Sequence, residues 1–293
     1  MYVMNKLLLV VIGWLVLVQL HAQDTIQHIL TNRLNSLEQQ QKPYVILISA
    51  DGFRYDLADS FHATHIQQLR LSGVQAEYMK PSYPSLTFPN HYAIITGMYP
   101  AHNGLVDNSF FDENKNQTYT MGNKKAVADS SWYGGTPLWV LAEQQKMLTA
   151  SFYWVASEAA IQGIRPTYYY NYNEKIGIDE RVEVVKKWLE LPPEKRPHFI
   201  TFYLPEVDHA EHTYGVFSQQ TKDAVHFVDD AIAKLNKALI TLHLPINYIF
   251  VSDHGMTDVD VQHTLPLPTV IDTTQFIIPR SDMLLHLYAK NKS

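Results

Sequence analysis

The hydrophobic pattern contains two periods. Tyr44–Ala50, His198–Leu204 and Asn247–Ser252 are nearly continuous apolar runs rather than alternating ones. Runs of that length and continuity are strands buried on both faces, as in a parallel sheet flanked by helices. Between them the period changes to that of a helix. Asp179–Glu190 spaces Val182, Val185, Trp188 and Leu189 along one face. Ser218–Leu242, the longest helical stretch, does the same with Ala224, Phe227, Val228, Ile232, Leu235 and Leu239. The alternation predicts an α/β fold, a mostly parallel central sheet with helices on both faces.

Weaker signals fill the intervals. Asp56–Ser72 reads as helix ending near Gly73, and Val74–Met79 as a second strand. The prolines of Lys80-Pro-Ser-Tyr-Pro-Ser85 make a loop, and Pro89 then suits the first turn of a helix running through Asn90–Thr96. Residues 97–104 read as loop and 114–132 as a polar surface excursion. Pro137–Gln145 predicts a short helix and Phe152–Val155 a short strand. Phe276–Ile278 and Met283–Ala289 predict further strands, with no closing helix after them, the pattern of a chain cut inside a domain.

The N-terminus changes the picture. Lys6 precedes an apolar stretch, Leu7 to Leu20, and Ala22 offers a small residue for cleavage before Gln23. This is the form of a secretory signal over residues 1–22, short of the roughly 20 apolar residues of a span. A polar segment, 23–42, would follow as helix and linker, and 43–293 would form one domain. The expected location is secreted or periplasmic, with an uncleaved membrane anchor as the alternative. The absence of cysteine excludes disulfides, and a net charge of −6 without a basic block argues against a nucleic-acid surface.

The three buried strands each end in metal-ligating chemistry. Asp51 follows the first, Asp208-His209-Ala-Glu211-His212 the second and Asp253-His254-Gly-Met the third. Ligands bind beyond the carboxyl ends of such strands, and oxygen and nitrogen donors without thiolate suit zinc or another divalent metal. Asp208 and His212 are spaced to share a helical face, whereas His209 and Glu211 read as a solvated surface turn. Gly255 would let the backbone leave the strand. Thr87, in Ser85-Leu-Thr-Phe-Pro-Asn90, enters a helix, either as an ordinary N-cap or as a nucleophile beside unpaired N–H groups.

Asp51-Gly-Phe-Arg, Thr87-Phe-Pro-Asn-His-Tyr, Thr96-Gly-Met-Tyr-Pro, His102-Asn-Gly, Asp107-Asn108, Asp208-x-x-x-His212 and Asp253-His-Gly-Met occur in one order. This set resembles the nucleotide pyrophosphatase/phosphodiesterase family of the alkaline phosphatase superfamily, from about Tyr44 to about Thr257. The resemblance implies an alkaline-phosphatase-like sheet and two zinc ions. It implies Thr87 as nucleophile, through a phosphothreonine, with Asp51, Asp253 and His254 sharing one zinc with it. It assigns Asp208 and His212 to the second zinc, Asn108 to a phosphate oxygen, and Phe88 and Tyr169 to the two faces of a nucleobase. The expected substrate is a small nucleotide or other phosphodiester. Expected alternatives are a lysophospholipid or choline-phosphate diesterase, a phosphomonoesterase, or a truncated inactive zinc-binding remnant. The family's third ligand to the second zinc is a histidine in a Gly-x-His-Gly motif. His263 and His286 are the histidines left after Met256, and neither has that setting. One reads as a surface-turn residue and the other as a strand residue, so the second zinc site is expected to be incomplete.

Overall fold

The computed structural model describes residues 25–281 and 284–290. The proposed signal segment therefore lies outside the described residues, as do parts of the last predicted strand. The strands in chain order are β1 (His28–Ile29), β2 (Tyr44–Ala50), β3 (Ser109–Asp112), β4 (Gln117–Thr120), β5 (Thr149–Phe152), β6 (Tyr168–Tyr170), β7 (Phe199–Leu204), β8 (Ile246–Val251), β9 (Phe276–Ile277) and β10 (Tyr288–Ala289). The main sheet has the order β1-β6-β5-β7-β2-β8, parallel throughout except for the antiparallel β1.

The three apolar runs are neighbours, with β2 between β7 and β8. In register, Ala50 lies opposite Leu204 and Ser49 opposite Val251, so all three strands finish level. This register brings Asp51, Asp253 and the helix carrying Asp208 to one rim.

Side chains leave a strand on alternate faces. Ile46, Ile48 and Ala50 join a core built with the Thr64–Ser72, Ile178–Glu190 and Gln219–Ile240 helices. Leu47 joins the other core, with Tyr92, Ile95, Trp139 and Trp154, under the Thr87–Thr96 and Leu138–Gln144 helices. Ser49, on that second face, is buried too.

Several predicted elements differ. Residues 74–79 form no strand; the run is exposed, with no neighbouring strand to satisfy its backbone. The 56–72 helix is two pieces, Leu57–Ser60 and Thr64–Ser72, because His62 takes φ 57° between them. Asp229 accepts from the His65 and Ile66 backbone N–H groups and so caps the second piece, a contact distant in sequence. The short strand lies earlier, at β5, and Tyr168–Tyr170 is β6. β1 pairs with β6, so the segment 23–42 contributes a strand as well as a helical turn, Gln39–Gln41.

The polar excursion is the β3–β4 hairpin followed by Trp132 and Tyr133. Phe110, Tyr119 and Trp132 are buried against the second core, which polar neighbours conceal in the sequence. The 97–104 loop contains a helical turn, Pro100–Asn103. Among the described residues β9 and β10 pair only with each other, antiparallel. Among the described residues no helix is long and apolar enough to cross a membrane.

Candidate active site

Thr87 is the first residue of its helix, with Leu86 in an extended conformation before it. Pro89 has no N–H to leave unsatisfied, so it costs nothing in the first turn. The Phe88 N–H is taken by Asn108 Oδ1 at 3.0 Å, which ties the Asp107-Asn108 loop to the Thr87–Thr96 helix. Thr87 Oγ1 lies 3.4 Å from His254 Nε2.

Three carboxylates meet beside it. Asp51 and Asp253 are each 1 % exposed, and Asp208 is buried. Asp253 Oδ1 accepts from Gly52 N at 3.2 Å, and His254 Nε2 stands 3.5 Å from Asp51 Oδ1 and 3.2 Å from Asp253 Oδ2. Gly52 has φ 70°, and a Cβ there would lie 3.0 Å from Asp208 Cα; only glycine lets the helix holding Asp208 approach so closely. Gly255 serves the same need for space rather than a turn, since a Cβ would meet Arg54 Cγ at 2.8 Å.

Burial is the main cause that pushes the Asp51 carboxyl well up, with the charges of Asp253 and Asp208 adding to it. Burial acts on Asp253 in the same direction, but His91 and His254 outweigh it and hold that carboxyl down at about 2. Asp208 is also raised, chiefly by burial.

Asp51 Oδ1, Asp208 Oδ1 and Asp253 Oδ2 are buried and accept no hydrogen bond. Orphaned carboxylate oxygens this close together are costly unless a cation is shared between them. They form two groups of three donors, Asp51/Asp208/His254 and Asp51/His91/Asp253, each with its ligand atoms within 4.8 Å of one another. The donor set fits a divalent metal. Asp208 thus stands with Asp51 and His254, in addition to His212, whose Nε2 is 3.4 Å from its Oδ1. Among the described residues Asp51 belongs to both groups of three, and His212 to neither.

The remaining predicted residues are spread more widely. Phe88 is half-buried, 6.2 Å from the Tyr119 ring. Tyr169 is 9 % exposed on β6 and stacks on His28 at 4.7 Å, three strands away from β2. Tyr172 is 40 % exposed, and its ring lies 6.0 Å from that of Tyr203, whose hydroxyl donates to Asp51 Oδ2. Tyr203, Tyr172 and His91 escaped the sequence reading. The one available signal was His91's position a helical turn after Thr87.

Glu211 is a correction. It is 3 % exposed, neither carboxylate oxygen has a hydrogen-bond partner, and burial together with Asp208 pushes its carboxyl up to about 8. Its helix turns that side toward Gly52 rather than solvent. His263 pairs with Asp260 at 2.6 Å on the surface. His286 precedes β10 instead of lying in a strand, and its Nε2 meets the buried Asp107 Oδ2 at 2.6 Å, beside Ser281. Replacing it leaves a buried carboxylate short of a partner, so His286→Ala should lose about 1–3 kcal/mol of stability. Urea unfolding measures this, with His286→Gln recovering part of the loss; an unchanged midpoint would count against the pairing.

The family description "Type I phosphodiesterase / nucleotide pyrophosphatase" matches residues 45–293. The chain belongs to this family. It is 38% identical over 220 residues to human ectonucleotide pyrophosphatase/phosphodiesterase family member 1, covering 74% of this chain and 24% of that protein. It is also 38% identical over 224 residues to venom phosphodiesterase 2 of Crotalus adamanteus, covering 75% and 27%. The chain spans about a quarter of the length of these relatives. Among solved structures, murine ectonucleotide pyrophosphatase/phosphodiesterase 5 superposes with a TM-score of 0.79 at 26% identity, covering 85% of this chain and 67% of that one. An inactive threonine-to-alanine variant of the same murine protein, in complex with AMP, matches at 25% identity with the same TM-score, covering 86% and 67%.

Proposed function

We propose that this chain carries the catalytic region, residues 43–293, of a zinc-dependent hydrolase for phosphodiester and pyrophosphate bonds of extracytoplasmic nucleotides. The supporting observation is the convergence of the Thr87 hydroxyl with three buried carboxylates that leave oxygens unpaired, at the start of a helix. Location outside the cytoplasm rests on the signal pattern of residues 1–22.

Asp51, Asp253 and His254 would hold one zinc beside Thr87, and Asp208 and His212 a second, with Asp51 within reach of both. When bound, zinc supplies positive charge that neutralises developing negative charge and lowers the pKa of a neighbouring hydroxyl. The Thr87 hydroxyl attacks phosphorus in line, its proton passing to solvent. The bond from phosphorus to the leaving oxygen breaks, and the nucleoside phosphoryl group stays on Thr87. Water then cleaves that ester, restoring the threonine hydroxyl and releasing a nucleoside monophosphate. The positive end of the helix dipole favours the anionic phosphoryl group. Asn108 accepts from Phe88 N through Oδ1, and its amide N–H groups would donate to a phosphate oxygen.

Phe88 would form one face of the nucleobase site. The opposite face falls to Tyr172 rather than Tyr169, because Tyr172 is exposed beside Tyr203 while Tyr169 is covered by His28. Phe88→Ala and Tyr172→Ala should each reduce kcat/KM for a dinucleotide substrate by roughly 5- to 150-fold, the loss of about 1–3 kcal/mol of stacking. A nitrophenyl phosphodiester lacking a base should be hydrolysed almost as before, and Tyr169→Ala should leave the ratio between substrates unchanged. Equal losses on both substrates would remove the nucleobase from the reading and turn attention to lipid or choline-phosphate esters.

A further inference from the structure

His91 is fully buried and lies one helical turn after Thr87. Its imidazole touches three separate parts of the site. Nδ1 is 2.9 Å from the Thr87 carbonyl oxygen, on its own helix. Nε2 is 2.9 Å from Ser49 Oγ, on β2. Asp253 Oδ2, in the turn after β8, is 3.3 Å from Nδ1.

The ring has no freedom to turn away. Trp154 and Tyr203 both pack edge-on against it, each at 5.1 Å between centroids. Trp154 also donates its indole N–H to the His91 carbonyl at 3.1 Å, which fixes the backbone beside the ring.

His91 is near enough to Asp51 and Asp253 to complete a group of three donors. The hydrogen bonds argue against ligation. A carbonyl oxygen can only accept, so Nδ1 must carry the proton that meets Thr87 O. A protonated ring nitrogen has no lone pair for a metal. The other nitrogen is engaged by the serine hydroxyl on the sheet. Nδ1 also stands 3.3 Å from Asp253 Oδ2, a charge contact without hydrogen-bond geometry, so one ring nitrogen holds the Thr87 peptide and lies against a proposed ligand.

We infer that His91 is a positioning residue that fixes the Asp253 carboxylate relative to the Thr87 backbone, rather than a metal ligand. This rests on the metal-site reading given above. The Thr87 carbonyl keeps the proton on Nδ1, Ser49 holds Nε2 from the sheet side, and Asp253 Oδ1 is fixed independently by Gly52 N. The ring thereby keeps the carboxylate oxygens aimed at the shared space while the threonine stays at the helix start. Such outer partners of ligands are worth about 10–100-fold in metal affinity.

The test compares two replacements of similar polarity in the full chain. In His91→Asn the side-chain amide falls where Nδ1 stood and keeps the donor to Thr87 O and Asp253. In His91→Gln it falls nearer Nε2 and keeps only the contact with Ser49. Zinc is titrated into metal-free protein, and both stoichiometry and dissociation constant are read, with near-UV circular dichroism to verify folding. The expected result is unchanged stoichiometry in both, affinity within a few-fold of wild type in His91→Asn, and a loss of about 10–100-fold in His91→Gln. Loss of one zinc equivalent in both variants would make His91 a ligand and overturn the inference. Wild-type affinity in a folded His91→Gln, or equal weakening in both variants, would overturn it as well. The readout is independent of turnover. A wild-type protein that binds zinc but hydrolyses no phosphodiester would defeat the proposed function and leave the role of His91 decided by the titration.

Discussion

Thr87→Ala is expected to abolish turnover, with kcat falling on the order of 10⁴-fold or more, while zinc binding is largely kept. Thr87 Oγ1 is the hydroxyl that meets His254 at the start of the Thr87–Thr96 helix. The Asp51, Asp253 and Asp208 carboxylates that surround the proposed ions do not depend on it. Removing the hydroxyl deletes the oxygen that meets His254 and would bond phosphorus, whereas Thr87→Ser keeps it and should retain measurable activity. Acid quenching with a substrate labelled at phosphorus should trap label on the wild-type protein and none on Thr87→Ala. Near-normal turnover in the variant, or label elsewhere on the chain, would rule out the phosphothreonine route.

Asp51→Asn carries the second large effect, and its sign differs between the two states of the protein. Asp51 belongs to both groups of donors. Loss of its charge should lower zinc affinity by more than about 100-fold, beyond what an outer partner is worth, and turnover should fall with it. The metal-free protein should respond in the opposite direction. Burial holds the Asp51 carboxyl well above its ordinary range. A carboxyl raised on folding favours the folded state in acid, and that contribution is lost as pH rises through its folded value. Asparagine has no such penalty, so metal-free Asp51→Asn should be at least as thermostable as wild type at neutral pH, with the difference shrinking toward acid. Zinc should raise the melting temperature of wild type, which binds it only when folded, and leave the variant nearly unmoved. A variant that loses stability in the absence of metal, or that keeps the zinc-induced shift, would refute this account.

The legible part of the fold was the part governed by strong local patterns. Tyr44–Ala50, His198–Leu204 and Asn247–Ser252 correspond closely to β2, β7 and β8, because continuous apolar runs have few alternatives to a doubly covered strand. The helices Ile178–Glu190 and Gln219–Ile240 followed from their 3.6-residue spacing. The failures were short or depended on distant partners. The 74–79 run has the alternation of a strand but no neighbour to pair with. β1 and β6 are only two and three residues long, and each exists through pairing with a strand far away in sequence. The break near His62 has its cap in Asp229, more than 160 residues on.

For the site, the sequence alone determined the chemical inventory. Acid and imidazole groups follow each buried strand, a threonine opens a helix, and the ordered motifs name the family. These are facts of residue type and local order, and no folding is needed to read them. The tertiary structure decided which groups share space. The level ending of β7, β2 and β8 brings Asp51, Asp208, Asp253 and His254 together, and close approach at Gly52 puts Asp208 with Asp51. It also decided that Tyr172 rather than Tyr169 stands beside the site, that Glu211 is buried, and that His91 lies between the Thr87–Thr96 helix and Asp253. Burial and hydrogen-bond partners depend on register and on helix rotation against the sheet. Those are set by packing over the whole domain, so they become readable only once the chain is folded.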